Sequence, residues 1–117
     1  MKLIQILSIF GAILTAVIIF LLSSISHDPA PQIEIPFKSI AYHFIIFFIL
    51  ALFLAMSFKS PQKYTLLAMS FLAIGYAVTD EFHQLFVPGR VASITDWLID
   101  SIGVVIANIV YFIRTRN

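Results

Sequence analysis

The chain has 117 residues, 61% of them hydrophobic and only 11% charged, with a mean hydropathy of +1.03. Soluble domains carry about 25% charged residues, so this chain cannot cover its own exterior with polar groups, and lipid must do so instead. Seven Lys plus Arg against six Asp plus Glu leave a formal charge of +1, which offers little to a nucleic acid, and the lack of cysteine excludes disulfides, thiolate metal sites and cysteine nucleophiles.

A spanning helix needs about 20 mostly apolar residues. The first such run is Leu3–Leu22. Lys2 before it and the small residues Ser24 and Ser26 after it also fit a signal peptide, but the run exceeds an h-region of about 7 to 15 residues and reads as an uncleaved helix. Ser23 to Ser39 follows, a loop punctuated by Pro29, Pro31 and Pro36 that also carries Asp28, Glu34 and Lys38. The second span is Ile40–Phe58, and Lys59 to Lys63 around Pro61 forms a compact basic turn. The third apolar run, from Tyr64 to Val78, is short, so the span is taken to Asp80 and the helix is expected to project through Phe86. Pro88 disfavours helical geometry at Val87, and Gly89 can supply the turn that follows. Arg90 to Thr95 then returns the chain into the fourth span, Ile94–Ile113. The expected fold is all-α, a small four-helix transmembrane bundle forming one domain over residues 1–117. Its thin shared core leaves room for a homo-oligomer.

Basic residues resist translocation, whereas acidic ones count little. Lys2, Lys59, Lys63, Arg114 and Arg116 fall at one end of the spans, and only Lys38 and Arg90 at the other. Both termini are therefore expected in the cytoplasm, with the first loop and the Asp80–Asp96 region on the extracytoplasmic side.

That side collects the polar residues. His43 lies near the outer start of the second helix, Asp80, Glu81, His83 and Gln84 at the outer end of the third, and Asp96 and Asp100 near the outer start of the fourth. An ionisable group within a span costs at least about 2.5 kcal/mol at the centre, so such groups normally face the bundle interior or water. Asp100 sits roughly 9 Å along its helix at about 1.5 Å per residue, below the headgroups but near enough for water to reach. Asp96, Asp100, Gly103 and Ala107 recur at helical spacing on one small, polar face, as a bundle-facing stripe should. Tyr76, Asp80, His83 and Gln84 share a face of the third helix, with Glu81 and Leu85 displaced to an adjoining one. Asn108, deeper in the fourth helix, reads as an interhelical hydrogen-bonding residue. Arg90 either clamps Asp96 or Asp80 to hold the turn or offers its five donors to an anionic headgroup.

The stretch Thr79-Asp80-Glu81-Phe82-His83-Gln84-Leu85-Phe86-Val87-Pro88-Gly89-Arg90-Val91-Ala92-Ser93-Ile94-Thr95-Asp96, continuing to Asp100 and Gly103, resembles the signature of the VanZ-like membrane protein family. Weaker similarity extends to His43-Phe44, where the family usually has an Asp-Lys pair shortly upstream. Here the Asp is missing, Lys38 is shifted, and Asp100 replaces an expected Asn. The resemblance implies a small multi-helix protein of the bacterial cytoplasmic membrane, whose namesake lies among glycopeptide-resistance genes and is linked to low-level teicoplanin resistance.

Two classes of function stay open on these residues. One is a non-catalytic module that binds an anionic lipid, a lipid-linked wall precursor or an amphiphilic drug. Glu81, Gln84, Arg90, Ser93 and Asp100 would then supply polar contacts, and Phe44, Phe47, Phe48, Phe82, Phe86 and Trp97 apolar walls. The other is a hydrolase or transferase acting on lipid phosphate headgroups, with Asp80 or Asp96 as base or metal ligand, His43 or His83 as proton shuttle and Arg90 on the phosphate. Carboxylates with Gln and water would suit Mg²⁺ or Mn²⁺, although no spacing in the sequence is diagnostic of a metal.

Overall fold

The computed structural model describes residues 2–26 and 36–117, which form four helices: α1 (Leu3–Ser23), α2 (Pro36–Met56), α3 (Lys63–Gln84) and α4 (Ile94–Arg116). No strand occurs among the described residues. Each helix is long and apolar enough to cross a membrane, and the chain is an integral membrane protein.

The packing inverts the pattern of a soluble bundle. Large apolar side chains such as Phe10, Leu14, Phe71, Phe82 and Ile102 are exposed, while the interior is built largely from Ala12, Ala51, Ala55, Ala73, Ala77 and Ala107 around Phe47, Ile19 and Val104. Lipid tails are as apolar as leucine, so helices in a membrane gain little by burying large side chains and associate through close backbone approach and polar contacts. Gly103 shows how close: a Cβ there would lie 2.6 Å from the Phe44 carbonyl oxygen, so α2 and α4 touch backbone to backbone. On α1 the buried face is Ser8, Ala12, Thr15, Ile19 and Ser23, at helical spacing, and Ser8 and Thr15 return their hydroxyls to the carbonyls of Ile4 and Gly11. Tyr76 Oη donates to the Ala16 carbonyl at 2.6 Å and ties α3 to the middle of α1.

At the polar end, two boundaries differ from the sequence expectation; at the other end α2 stops at Met56 rather than Phe58 and α4 runs on to Arg116 rather than Ile113. α2 begins at Pro36 rather than Ile40, so Lys38 and Ser39 are helical. Proline is well tolerated at the first helical position, where its missing N–H would have had no intrahelical partner. The remainder of the expected loop, with Asp28, Pro29, Pro31 and Glu34, lies outside the described residues. α3 ends at Gln84 rather than Phe86, but the winding continues as tighter turns: the amides of Leu85, Phe86 and Val87 donate to the carbonyls of Phe82, His83 and Gln84. A type II turn follows over Val87–Arg90, closed by Arg90 N–H to Val87 O at 3.1 Å, with Pro88 second and Gly89 third at φ 79°. That turn aims the chain back into α4.

Candidate polar site at one end of the bundle

Ser93, in extended backbone geometry, caps α4, its side-chain oxygen accepting the Asp96 N–H at 3.3 Å. The Ser93 amide in turn donates to Glu81 Oε2 at 2.9 Å, fixing the end of α3 to the start of α4. Trp97 Nε1–H reaches the Ile74 carbonyl at 3.4 Å and closes the same pair of helices one turn deeper.

Into this frame α2 inserts His43. Its Nδ1–H donates to Asp100 Oδ1 at 2.8 Å, and its Nε2 lies 3.5 Å from Asp96 Oδ2. Asp100 is 0% exposed and His43 7%, whereas the Asp96 side chain keeps 25% of its surface. A carboxylate only accepts hydrogen bonds, so the Asp100 contact places the proton on Nδ1 and turns Nε2 toward Asp96. Glu81 is also buried, and one ligand atom from each of His43, Glu81 and Asp100 lies within 4.8 Å of the others. Asp80 is buried beside this group and accepts a bond from Gln84 Nε2 at 3.3 Å.

Arg90 closes the site from the turn, but not through an acid. Its Nε donates to the Ile25 carbonyl at 3.0 Å and its Nη2 to the Leu22 carbonyl at 2.7 Å, so the guanidinium binds the C-terminal carbonyls of α1. The Leu22 carbonyl lies in the last turn of α1, at the negative end of the helix dipole, where it also accepts the Ile25 N–H at 3.3 Å, and Ile25 lies just beyond the helix, so both are natural partners for a cation. His83 also turns to α1, stacking on Phe20 with centroids 4.8 Å apart and meeting Ser24 Oγ at 2.9 Å.

A cavity of about 530 Å³ opens beside these residues, lined by Ser39, Ile40, His43, Gln84, Gly89, Arg90, Val91, Ser93, Thr95, Asp96 and Ile99. The structure thus brings His43, Gln84, Arg90, Ser93 and Asp96 to one cavity. Glu81 and Asp100 lie behind it, and Asp80 stands against Gln84. Glu81, expected on an adjoining face, turns inward because α3 touches both α2 and α4 and so buries an arc wider than one stripe. Sequence reasoning overlooked Ser39 and Thr95, although Ser39 stands one helical turn before His43 and Thr95 directly precedes Asp96.

Acids outnumber cationic partners in this layer: Asp80, Glu81, Asp96 and Asp100 gather around His43, His83 is turned to α1, and the nearby guanidinium engages α1 as well.

A family model described as VanZ/LLP1 matches residues 8–115. No curated protein and no solved structure matches the chain.

Proposed function

The chain belongs to the VanZ/LLP1 family, and from that premise we propose that the cavity holds the phosphate-bearing headgroup of a membrane lipid or lipid-linked wall precursor. One observation carries the reading: a polar cavity of about 530 Å³ at one end of a bundle whose exterior is otherwise apolar. That volume is within the range of about 300–1,000 Å³ usual for small-molecule sites. Its lining mixes His43, Gln84, Ser93 and Asp96 with Ile40, Val91 and Ile99, so a headgroup finds hydrogen-bonding partners where an acyl chain can leave along exposed apolar helix surface. A glycopeptide with a lipid tail, as in the teicoplanin type, is an amphiphile of the same build. The excess of basic residues at the opposite end supports an extracytoplasmic position for the cavity.

A second reading, lipid headgroup hydrolysis or transfer, is favoured by the His43–Asp100 pair. A buried carboxylate that holds Nδ1–H leaves Nε2 as the nitrogen turned toward Asp96 at the cavity, the orientation a general base requires. Asp96 beside it would accept or return the proton.

Both readings are tested by incubating purified protein in liposomes of a total membrane-lipid extract, recovering it in detergent and identifying retained and altered lipids by mass spectrometry. Binding predicts a phosphate-bearing lipid class retained by wild type and depleted in Asp96→Asn, with the lipid chemically unchanged. Catalysis predicts a species converted by wild type and not by Asp96→Asn. An identical lipid complement for both proteins sinks the two readings together. The chain has no cysteine, so labelling a Val91→Cys variant in intact cells with an impermeant maleimide tests the side of the membrane; Val91 is 79% exposed beside the cavity. Protection from the reagent would overturn the assignment.

A further inference from the structure

We propose that His43, Glu81 and Asp100 form a binding site for a divalent first-row metal ion that accepts mixed imidazole and carboxylate ligands, Zn²⁺ or Mn²⁺, joining α2, α3 and α4. The proposal stands on these three side chains and does not depend on what occupies the neighbouring cavity.

The first observation is convergence. Three residues from three helices, each 7% exposed or less, bring one ligand atom apiece to within 4.8 Å of one another. His43 Nδ1 and Asp100 Oδ1 are 2.8 Å apart, close to the spacing of about 3 Å between neighbouring ligands on an octahedral ion with bonds of about 2.1 Å.

The second observation is independent and concerns the other oxygens. Among the described residues, the buried side-chain atoms without a hydrogen-bond partner are Ser23 Oγ, Glu81 Oε1, Asp100 Oδ2 and Asn108 Oδ1. Two of these four belong to the cluster. Without an ion, Glu81 uses Oε2 to accept the Ser93 amide and Asp100 uses Oδ1 to accept from His43, so each carboxylate has one satisfied oxygen and one buried orphan free for a metal. A buried acceptor is costly to leave unsatisfied, and a cation between the two carboxylates would satisfy both orphans at once.

The ligand types select the ion. One imidazole with two carboxylates suits Zn²⁺ or Mn²⁺, whereas Mg²⁺ prefers oxygen ligands alone. The ion would take the place of the Nδ1 proton, so that His43 carries its proton on Nε2, pointing at Asp96 Oδ2, 3.5 Å away, the outer carboxylate that metal-bound histidines commonly engage. A loaded site therefore excludes Nε2 as a general base. Asp96 would then be a positioning residue with an edge on the cavity, and the ion would also relieve the conflict between four acids and a phosphate-bearing ligand.

The test uses full-length protein purified in detergent, stripped with chelator and titrated with Zn²⁺ or Mn²⁺ alone. Bound metal is counted by inductively coupled plasma mass spectrometry, Mn²⁺ is followed by electron paramagnetic resonance, and thermal unfolding is followed by circular dichroism. Wild type should take up stoichiometric Zn²⁺ or Mn²⁺, hold it against excess Mg²⁺, and melt at a higher temperature with metal than without. Glu81→Gln and Asp100→Asn should each lose more affinity than the roughly 10- to 100-fold expected when only an outer partner is removed, which is the range predicted for Asp96→Asn. Asp80→Asn, a neutralised acid in the same layer, should bind as wild type does. The proposal is overturned if wild type binds no stoichiometric metal, if Mg²⁺ displaces it, or if the Glu81 and Asp100 variants bind as tightly as Asp80→Asn. Wild-type binding and melting decide the matter even if a variant misfolds.

Discussion

Both ends of the bundle bury polar side chains between α3 and α4, but they do so differently. Toward the end that holds the chain termini, Asn108 Nδ2 donates to Ser70 Oγ at 2.6 Å, with the Leu66 carbonyl at 3.5 Å, and the pair is neutral and local to two helices. The adjoining groove, lined by Leu67, Phe71, Val105 and Phe112, is almost wholly apolar. At the other end, four acids, His43 and Arg90 draw in every helix, leave buried oxygens without partners and border a polar cavity. A neutral pair that satisfies its donor is sufficient to hold helices in a membrane; a charged layer is far more costly than that task requires. The excess is the physical reason to assign function to one end and packing to the other.

The largest effect should come from the residue on which the charged end depends for its spacing. Gly103 is one turn beyond Asp100, and a Cβ there meets the Phe44 carbonyl at 2.6 Å, so Gly103→Ala forces α2 away from α4. That shift would stretch the 2.8 Å His43–Asp100 contact while leaving Asn108 on Ser70. Overpacking of this kind typically costs about 1–3 kcal/mol. Gly75 is the control, since a Cβ there meets nothing within 4 Å; Gly75→Ala should stabilise by up to about 1 kcal/mol through helix propensity. Equal shifts in melting temperature for the two variants in one detergent would show that the α2–α4 approach is not tight.

Arg90 tests whether the charged end is also a fastening for α1. Its two donors hold the carbonyls of Leu22 and Ile25, so Arg90→Ala should loosen the end of α1 and cost about 1 kcal/mol, as expected for a cation at a helix C-terminus. Arg90→Lys should recover only part of it, because an ammonium cannot reproduce the guanidinium fork. Hydrogen exchange should then quicken around residues 20–26 and not in α4. Faster exchange spread evenly over the bundle would count against a local clamp.

Much of this was legible in the sequence, and the part that was not has definite causes. The four spans follow from hydropathy alone, and the polar stripe of Asp96, Asp100, Gly103 and Ala107 follows from helical spacing, because a membrane helix can place such residues only against its neighbours. The start of α2 was misplaced because proline reads as a breaker, although at a first helical position it breaks nothing. Glu81, a candidate contact by residue type, falls on an adjoining face by spacing because a one-dimensional stripe cannot represent a helix with neighbours on two sides. The partners of Arg90 were out of reach for a different reason. A guanidinium among acids suggests an ion pair, whereas the acceptors it uses are backbone carbonyls at and just beyond the end of α1, more than 60 residues away in sequence, and no side-chain pattern marks them.

The smallest effect should come from the neutral end, and its smallness sharpens the comparison. Asn108→Leu removes the bond to Ser70 but replaces the amide with an apolar side chain of similar size, in a helix otherwise surrounded by hydrocarbon. Interhelical hydrogen bonds of this type average about 0.6 kcal/mol in membrane proteins, because the separated helices also find partners for their polar groups. The substitution also eliminates Asn108 Oδ1, which is buried without a partner, so part of even that loss is returned. Asn108→Leu should therefore melt within a few degrees of wild type and leave the proposed lipid and metal binding at the wild-type level. A large destabilisation, or loss of either ligand, would mean that the two ends are energetically coupled through α4 and that assigning packing to one and function to the other is wrong.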